Sequence, residues 1–333
     1  MANDNTKYRH FVANNNKEFN DRAWEIFQFQ SKNNTLYQKF LELLPNCLPK
    51  QENLFSIPCL PVHFFKHQLI QTGSWDPETI FSSSGTSGST QSNHAVRSLN
   101  NYLENTVRCF EEIYGPVENY AFMALLPHYL ERKGSSLVDM AGYFIGKSKF
   151  KDYSGFFLNH KDRLVTLLSK AKAENIPVVL LGVSFALLSL ASDFTFQFPE
   201  LIVMETGGMK GQGRELPRSE LHDILKTAFG VDHIHSEYGM TELLSQAYAP
   251  ADGYFYESSS LKILIRDITD PFREVPDGKV GAVNIIDLAN KDSISFIATD
   301  DLGRKCQDGT FEILGRLDNA EIRGCNLLVH HLS

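Results

Sequence analysis

No run of apolar residues in this 333-residue chain is long enough to cross a bilayer. The longest, Ile176 to Ala191, is interrupted by Pro177, Gly182, Ser184 and Ser189, and it falls short of the roughly 20 residues that a spanning helix needs. Cysteine is scarce. The five present are Cys47, Cys59, Cys109, Cys306 and Cys325. They are odd in number and form no Cys-x-x-Cys pair, which argues against a disulfide framework or a cysteine zinc site and fits a reducing, cytoplasmic setting. The stretch Met1 to Asn16 is polar and Asn-rich and has no apolar signal region. There are no repeats and no blocks of like charge. Basic residues are in deficit: 32 Lys and Arg against 40 Asp and Glu give a net charge of −8. Such a chain is a poor general binder of phosphate backbone, so no nucleic-acid partner is expected. One local cationic site for a small anion remains compatible with it.

What is present is ordinary globular material, 42% hydrophobic and 22% charged, enough for a core without staples. Residues 1–16 read as a tail. From Lys17 to Leu44, apolar residues at helical spacing break around Asn33-Asn34, predicting two helices ended by Pro45. A Pro-rich stretch follows, with a short helix near Val62–Leu69 and a strand ending at Phe81. Helices are predicted over Asn100–Ile113, Leu164–Asn175, Phe185–Leu190 and Ser219–Phe229. Strands are predicted over Tyr120–Leu126, Val178–Leu181 and Leu201–Met204. Such alternation predicts a largely parallel sheet. After about residue 250 the pattern changes to short strands: Leu261–Ile265, Gly281–Ile286, Ser293–Ala298 and Thr310–Leu314. The expectation is an α/β fold with mixed, partly parallel sheets flanked by helices. A core over 17–250 and a β-rich part over 251–333 form one integrated body.

Four segments carry chemistry. Ser82-Ser83-Ser84-Gly85-Thr86-Ser87-Gly88-Ser89-Thr90 follows a hydrophobic stretch. Small hydroxyl residues and glycines let N–H and Oγ groups surround an anion, although a Ser/Gly loop is more often a connector. No Gly-Lys-Ser/Thr follows, so it is not a Walker loop. Glu237-Tyr238-Gly239-Met240-Thr241-Glu242 sets a carboxylate beside a hydroxyl, which suits Mg²⁺ with phosphate oxygens. A solvated turn capping a helix at Thr241 is the alternative. Ala298-Thr299-Asp300-Asp301-Leu302-Gly303-Arg304 closes a strand with carboxylates that can accept from ribose hydroxyls, or forms a polar hairpin turn. Glu312-Ile313-Leu314-Gly315-Arg316-Leu317-Asp318 is the fourth.

In this order, the four resemble the motifs of the adenylate-forming superfamily. Pro276-Asp277-Gly278-Lys279-Val280-Gly281 is similar to a fifth. Ile57-Pro58, Pro61-Val62, Phe65-Lys66, the run Tyr129 to Leu137 and Arg323-Gly324-Cys325-Asn326-Leu327 narrow the likeness. They resemble the acyl-protein synthetase family of the fatty-acid reductase complex in luminous bacteria. That resemblance implies the large N-terminal domain of an adenylating enzyme, using ATP and Mg²⁺ to activate a fatty acid. The acyl group then passes to a cysteine near the C-terminus and on to an acyl-CoA-reductase-like partner protein. By the same resemblance Ser84, Thr86, Ser87 and Gly88 hold the β- and γ-phosphates. Gly207, Gly208 and Tyr238 flank adenine. Thr241 contacts the α-phosphate, and Glu242 ligates Mg²⁺ from a surface position. Asp301 takes the ribose hydroxyls, Arg316 lies near the ribose or hinge, and Cys325 carries the acyl group.

The sequence departs from the superfamily in two places. Thr90-Gln91 stands where Pro-Lys is usual, and only residues 317–333 follow Arg316, so the smaller domain and its catalytic lysine are expected to be lacking. Lys133, Lys210 and Arg132 are substitutes by charge, unless a partner protein supplies the cation. Three rival readings stand beside this one. Gly182-Val183-Ser184-Phe185-Ala186 approximates the nucleophile elbow of a serine acyltransferase or hydrolase. Its last Gly is Ala, and core packing is expected for Ser184. The acceptor could be CoA or a carrier protein. The chain could also be a non-catalytic nucleotide-binding subunit. His233-x-His235 has no third ligand in spacing and is expected to be structural.

Overall fold

The computed structural model describes residues 16–44, 49–83, 90–126, 134–207 and 216–317. Helix α1 (Asn16–Asn33) is followed at once by α2 (Thr35–Glu42). Asn34 makes the break, because its side chain accepts from the Tyr37 N–H and so caps the second helix. Strand β1 (Leu60–Pro61) leads into a 3₁₀ turn at Val62–Lys66, where the sequence suggested a longer helix. The hairpin β2 (Thr79–Ser82) and β3 (Asn93–Val96) flanks the Ser/Gly loop.

Next come α3 (Leu99–Tyr114), β4 (Ala121–Leu125), α4 (Ser136–Lys147), β5 (Gly155–Phe156) and α5 (Lys161–Ala173). They are followed by β6 (Val178–Val183), α6 (Ser184–Asp193), β7 (Ile202–Thr206), α7 (Arg218–Phe229), β8 (His235–Tyr238) and β9 (Ala247–Ala249). The first sheet runs β5-β4-β6-β7-β8-β9. All its neighbours are parallel except β9, which is antiparallel to β8. Helices cover it, so β6 is buried along its whole length, as strands sandwiched on both faces must be. Helix α4 had no signal in the sequence reading. Its glycines, Gly142 and Gly146, weaken the propensity that would have marked it.

The second sheet is built from β10 (Leu261–Arg266), β11 (Gly281–Asp287), β12 (Phe296–Lys305) and β13 (Phe311–Arg316), all antiparallel, with β1 added parallel to β12. It faces a second core of its own, to which α1, α2 and the 3₁₀ turn contribute Phe27, Tyr37 and Phe65. The first core gathers α3 to α7 on the parallel sheet. Among the described residues, no helix is long and apolar enough to cross a membrane.

One expectation needs correction. Thr299 to Arg304 forms no turn; it continues and closes β12, which the sequence reading ended at Ala298. The ladder between β11 and β12 shifts register around Val283, which leaves the Val283 carbonyl for side chains. The Thr299 hydroxyl donates to it at 2.8 Å and Arg266 Nη1 at 3.1 Å. Gly303 lets β13 approach: a Cβ there would sit 2.6 Å from the Glu312 carbonyl oxygen and 2.9 Å from Val283 Cγ2. The motif glycine therefore has a packing reason.

Gly303→Ala should lower stability by about 1–3 kcal/mol, since it overpacks against backbone. Gly146→Ala meets nothing within 4 Å and should gain up to about 1 kcal/mol in its helix. Thermal denaturation of the two variants checks the pair; equal melting temperatures would contradict the close approach of β13.

Candidate functional site

In open parallel sheets, ligand sites form beyond the carboxyl ends of the strands. Here β7 ends at Thr206 and β8 at Tyr238, and the second sheet brings Asp301 and Arg316 to that end. The Tyr238 hydroxyl donates to Asp301 Oδ2 at 2.7 Å, and Arg316 Nε donates to Asp301 Oδ1 at 3.1 Å. Burial, followed by the Asp301 carboxylate, pushes the Tyr238 phenol well above its usual range, so it stays a donor. Its ring lies edge-on to Phe255 and Phe311, and Arg218 sits over Phe255. Arg218 also donates to the Ile313 carbonyl on β13, tying α7 to the second sheet.

Strand alternation decides between the two adjacent aspartates. Asp301 faces inward and is buried, and its N–H donates to the Thr299 hydroxyl. Asp300 points the other way and pairs with His63 at 3.0 Å, both side chains about two-fifths exposed. The cluster forms around Asp301.

Glu242 is not on the surface. It is 6% exposed, in an irregular segment after β8; no helix starts at Thr241. Burial raises its carboxyl above the ordinary range. A hydrogen bond from Ser92 and the nearby Arg316 cation act against that rise, while the Asp301 anion adds to it. Thr241 is half-buried, and its carbonyl accepts from His94 Nδ1 at 2.9 Å. Gly239 makes room for Glu237: a Cβ would lie 2.5 Å from Glu237 Oε1, and that carboxylate is held by the Thr206 hydroxyl. Gly207 follows β7 with φ 65°, a left-handed value that favours glycine.

The structure thus brings together Tyr238, Glu242, Asp301 and Arg316, with Thr241 beside Glu242. Ser84, Thr86, Ser87, Gly88, Gly208 and Cys325 lie outside the described residues, as do Arg132, Lys133 and Lys210. The sequence reading missed Ser92 and His94. Both are buried, two apart along the start of β3. A histidine at strand period between small and apolar residues was the available signal.

The decoys resolve on geometry. Ser184 is buried, and its hydroxyl donates to the Gly207 carbonyl at 2.7 Å, with Glu205 Oε2 at 3.4 Å. His222 also turns to Glu205, at 3.7 Å. The carboxylate, not the imidazole, is central, so His222 is not placed as a base on Ser184. His233 faces Asp252 at the surface, whereas His235 meets the Tyr114 hydroxyl at 3.1 Å and is pushed down to about 4 by burial. Among the described residues, no group of three or more His, Cys, Asp or Glu could hold a metal.

Residues 12–332 match the family model described as acyl-protein synthetase, LuxE. The chain belongs to that family. No curated protein matches the sequence. Solved adenylate-forming enzymes share its fold. A 2-hydroxyisobutyryl-CoA ligase in complex with 2-HIB-AMP and CoA superposes with a TM-score of 0.67 at 14% identity, over 91% of this chain and 75% of that one. ATP-bound MatB from Rhodopseudomonas palustris does so with a TM-score of 0.54 at 18% identity, over 73% of this chain and 49% of that one. The chain therefore matches only about half the length of MatB. The likeness establishes the fold, that of adenylate-forming ligases, for this member of the LuxE family.

The buried carboxylate of Glu242 gives a test of its own. A raised carboxyl pKa means that the folded state holds the proton more tightly than the unfolded chain. Stability then falls as pH climbs from the ordinary carboxylate range through the raised value, and the loss persists at neutral pH. Glu242→Gln should melt at or above the parent temperature at neutral pH, with the gap closing as pH falls toward the carboxylate range. A lower melting point at neutral pH would show that contacts to the carboxylate outweigh its burial.

Proposed function

We propose that this protein is an ATP-dependent acyl-activating ligase that joins a fatty acid to AMP and then passes the acyl group to Cys325. The supporting observation is the assembly of Tyr238, Asp301 and Arg316 beside Glu242, at the strand ends of an adenylate-forming fold, in a chain of the LuxE family. In this reading a carboxylate oxygen of the fatty acid attacks the α-phosphorus of ATP. The bond to the bridging oxygen breaks and pyrophosphate leaves. The thiolate of Cys325 then attacks the acyl carbonyl and AMP departs, leaving a thioester for an acyl-CoA-reductase-like partner protein.

The protein supplies position and charge rather than covalent chemistry in the first step. Asp301 takes the ribose hydroxyls while keeping Tyr238 against adenine, with Gly207 and Gly208 on the other side. Thr241 meets the α-phosphate, and Ser84, Thr86, Ser87 and Gly88 the β- and γ-phosphates. Arg316 is the cation set against both Asp301 and Glu242. A lone buried carboxylate fits Mg²⁺, which takes one or two carboxylates and completes its shell with phosphate oxygens and water. Mg²⁺ on Glu242 would neutralise phosphate charge.

ATP–pyrophosphate exchange across carboxylic acids of increasing length tests the activation step. Exchange with fatty acids is expected; none at any length, with the partner protein present, would favour a nucleotide-binding subunit. Asp301→Ala should weaken binding of a non-hydrolysable ATP analogue, because each charged hydrogen bond lost is worth about 1.5–3 kcal/mol. Equal affinity in a titration would move the ribose contact elsewhere.

Cys325→Ser separates the two steps. It should keep pyrophosphate exchange and lose hydroxylamine-sensitive labelling by radioactive fatty acid with ATP. Full labelling of that variant would put CoA or a carrier protein ahead as acceptor.

A further inference from the structure

The chain from Gly239 to Ser245 leaves β8 and runs irregularly between the two cores. Buried polar backbone outside regular structure must find partners elsewhere. The Glu242 carbonyl accepts from Asn290 Nδ2 at 2.8 Å, and the Leu244 and Ser245 N–H groups donate to Asp287 Oδ2 at 2.7 and 3.0 Å. The Thr241 carbonyl is met by His94 Nδ1 at 2.9 Å.

His94 is wholly buried on β3, the strand that follows the Ser/Gly loop. A carbonyl can only accept, so Nδ1 carries the proton. Nε2 is then the acceptor for the Ser293 hydroxyl at 2.9 Å, and Ser293 Oγ itself takes the Ile294 N–H. Behind it, the Ser293 carbonyl is held by Asn34 Nδ2 and by the Thr72 hydroxyl. Phe65 packs edge-on against the ring. Two residues earlier on the same stretch, buried Ser92 lies near the Glu242 carboxyl and acts against the rise in its pKa. The stretch entering β3 thus holds the Thr241-Glu242 pair through the Thr241 backbone.

We infer that His94 is a positioning residue: its Nδ1–H fixes the Thr241 carbonyl to β3 and so sets the place of the Thr241 hydroxyl and the Glu242 carboxylate that follows it. This rests on the adenylating reading for its consequence in catalysis, but not for the positioning itself. A ring that only filled space would not need its protonated nitrogen on that carbonyl.

Three full-length variants test it. His94→Leu removes the donor. His94→Asn keeps an amide N–H near the place of Nδ1, and His94→Gln moves it toward the place of Nε2. Hydrogen–deuterium exchange of unliganded protein should show His94→Leu and His94→Gln exchanging roughly tenfold faster across Gly239–Ser245, as loss of one buried hydrogen bond implies. His94→Asn should return toward the parent. In pyrophosphate exchange, kcat should fall with the same ranking while the KM for fatty acid holds. Unchanged exchange in His94→Leu, or no difference between His94→Asn and His94→Leu, would overturn the proposal. So would faster exchange spread evenly over the second core, the mark of a merely structural ring. If His94→Leu does not fold, His94→Asn against His94→Gln decides. A parent without pyrophosphate exchange would sink the adenylating reading, while the hydrogen-exchange comparison would still judge His94.

Discussion

Between β8 and β9 the chain has to pass from one hydrophobic core to the other, and it does so without helix or strand. Where it is buried, from Glu242 onward, its backbone groups need partners that no helix or strand supplies, and side chains from three separate places serve the segment. His94 comes from the hairpin, Asp287 from the end of β11, and Asn290 from the short turn that follows. Each of these is itself buried and bonded onward. The position of Thr241 and Glu242 is therefore inherited from the packing of both cores, not chosen locally. An active segment held this way needs no regular structure to be rigid.

The same region collects negative charge. Glu205, Glu237, Glu242, Asp287 and Asp301 are all at most 7% exposed, a costly concentration in a low-dielectric setting. Most of it is offset by design of partners. Glu205 has Ser236 and Arg218, Glu237 has Thr206, Asp287 has four donors, and Asp301 has Tyr238 and Arg316. Glu242 is the least fully compensated, with Ser92 and a nearby arginine against heavy burial. A carboxylate left short of positive charge is what a divalent cation completes.

Much of the architecture was legible because the parallel strands are fully buried and the helices between them amphipathic. The short apolar run Val178–Leu181 marked β6, and the helical spacing over Ser219–Phe229 marked α7. Glycine-bearing α4 and the short strands β3, β8 and β9 did not, since a few residues of mixed polarity carry no period. Among the site residues, Tyr238, Asp301 and Arg316 were visible as motif members and do meet. Sequence could not reveal that Glu242 is buried, because the groups around it, Ser92, Asp301 and Arg316, are distant along the chain. The Thr299 to Arg304 segment read as the close of a strand or as a polar turn, because consecutive polar residues with a glycine suit either. In the fold Thr299 serves the register shift beside Val283, while Asp300 pairs with His63, Asp301 with Tyr238 and Arg316, and Arg304 with Glu312.

Strand β1 joins segments far apart in the sequence. Leu60 and Pro61 lie parallel to Ile297 and Ala298 on β12, a few residues from Asp301 and across nearly the whole described sequence. Closing so large a loop is slow compared with forming local helices and hairpins. Asp301 thus sits on a strand whose parallel neighbour must be fetched from far away. A nascent chain can pack its parallel sheet early, yet β12 gains its parallel neighbour, and the second core its last edge, only when that seam is shut.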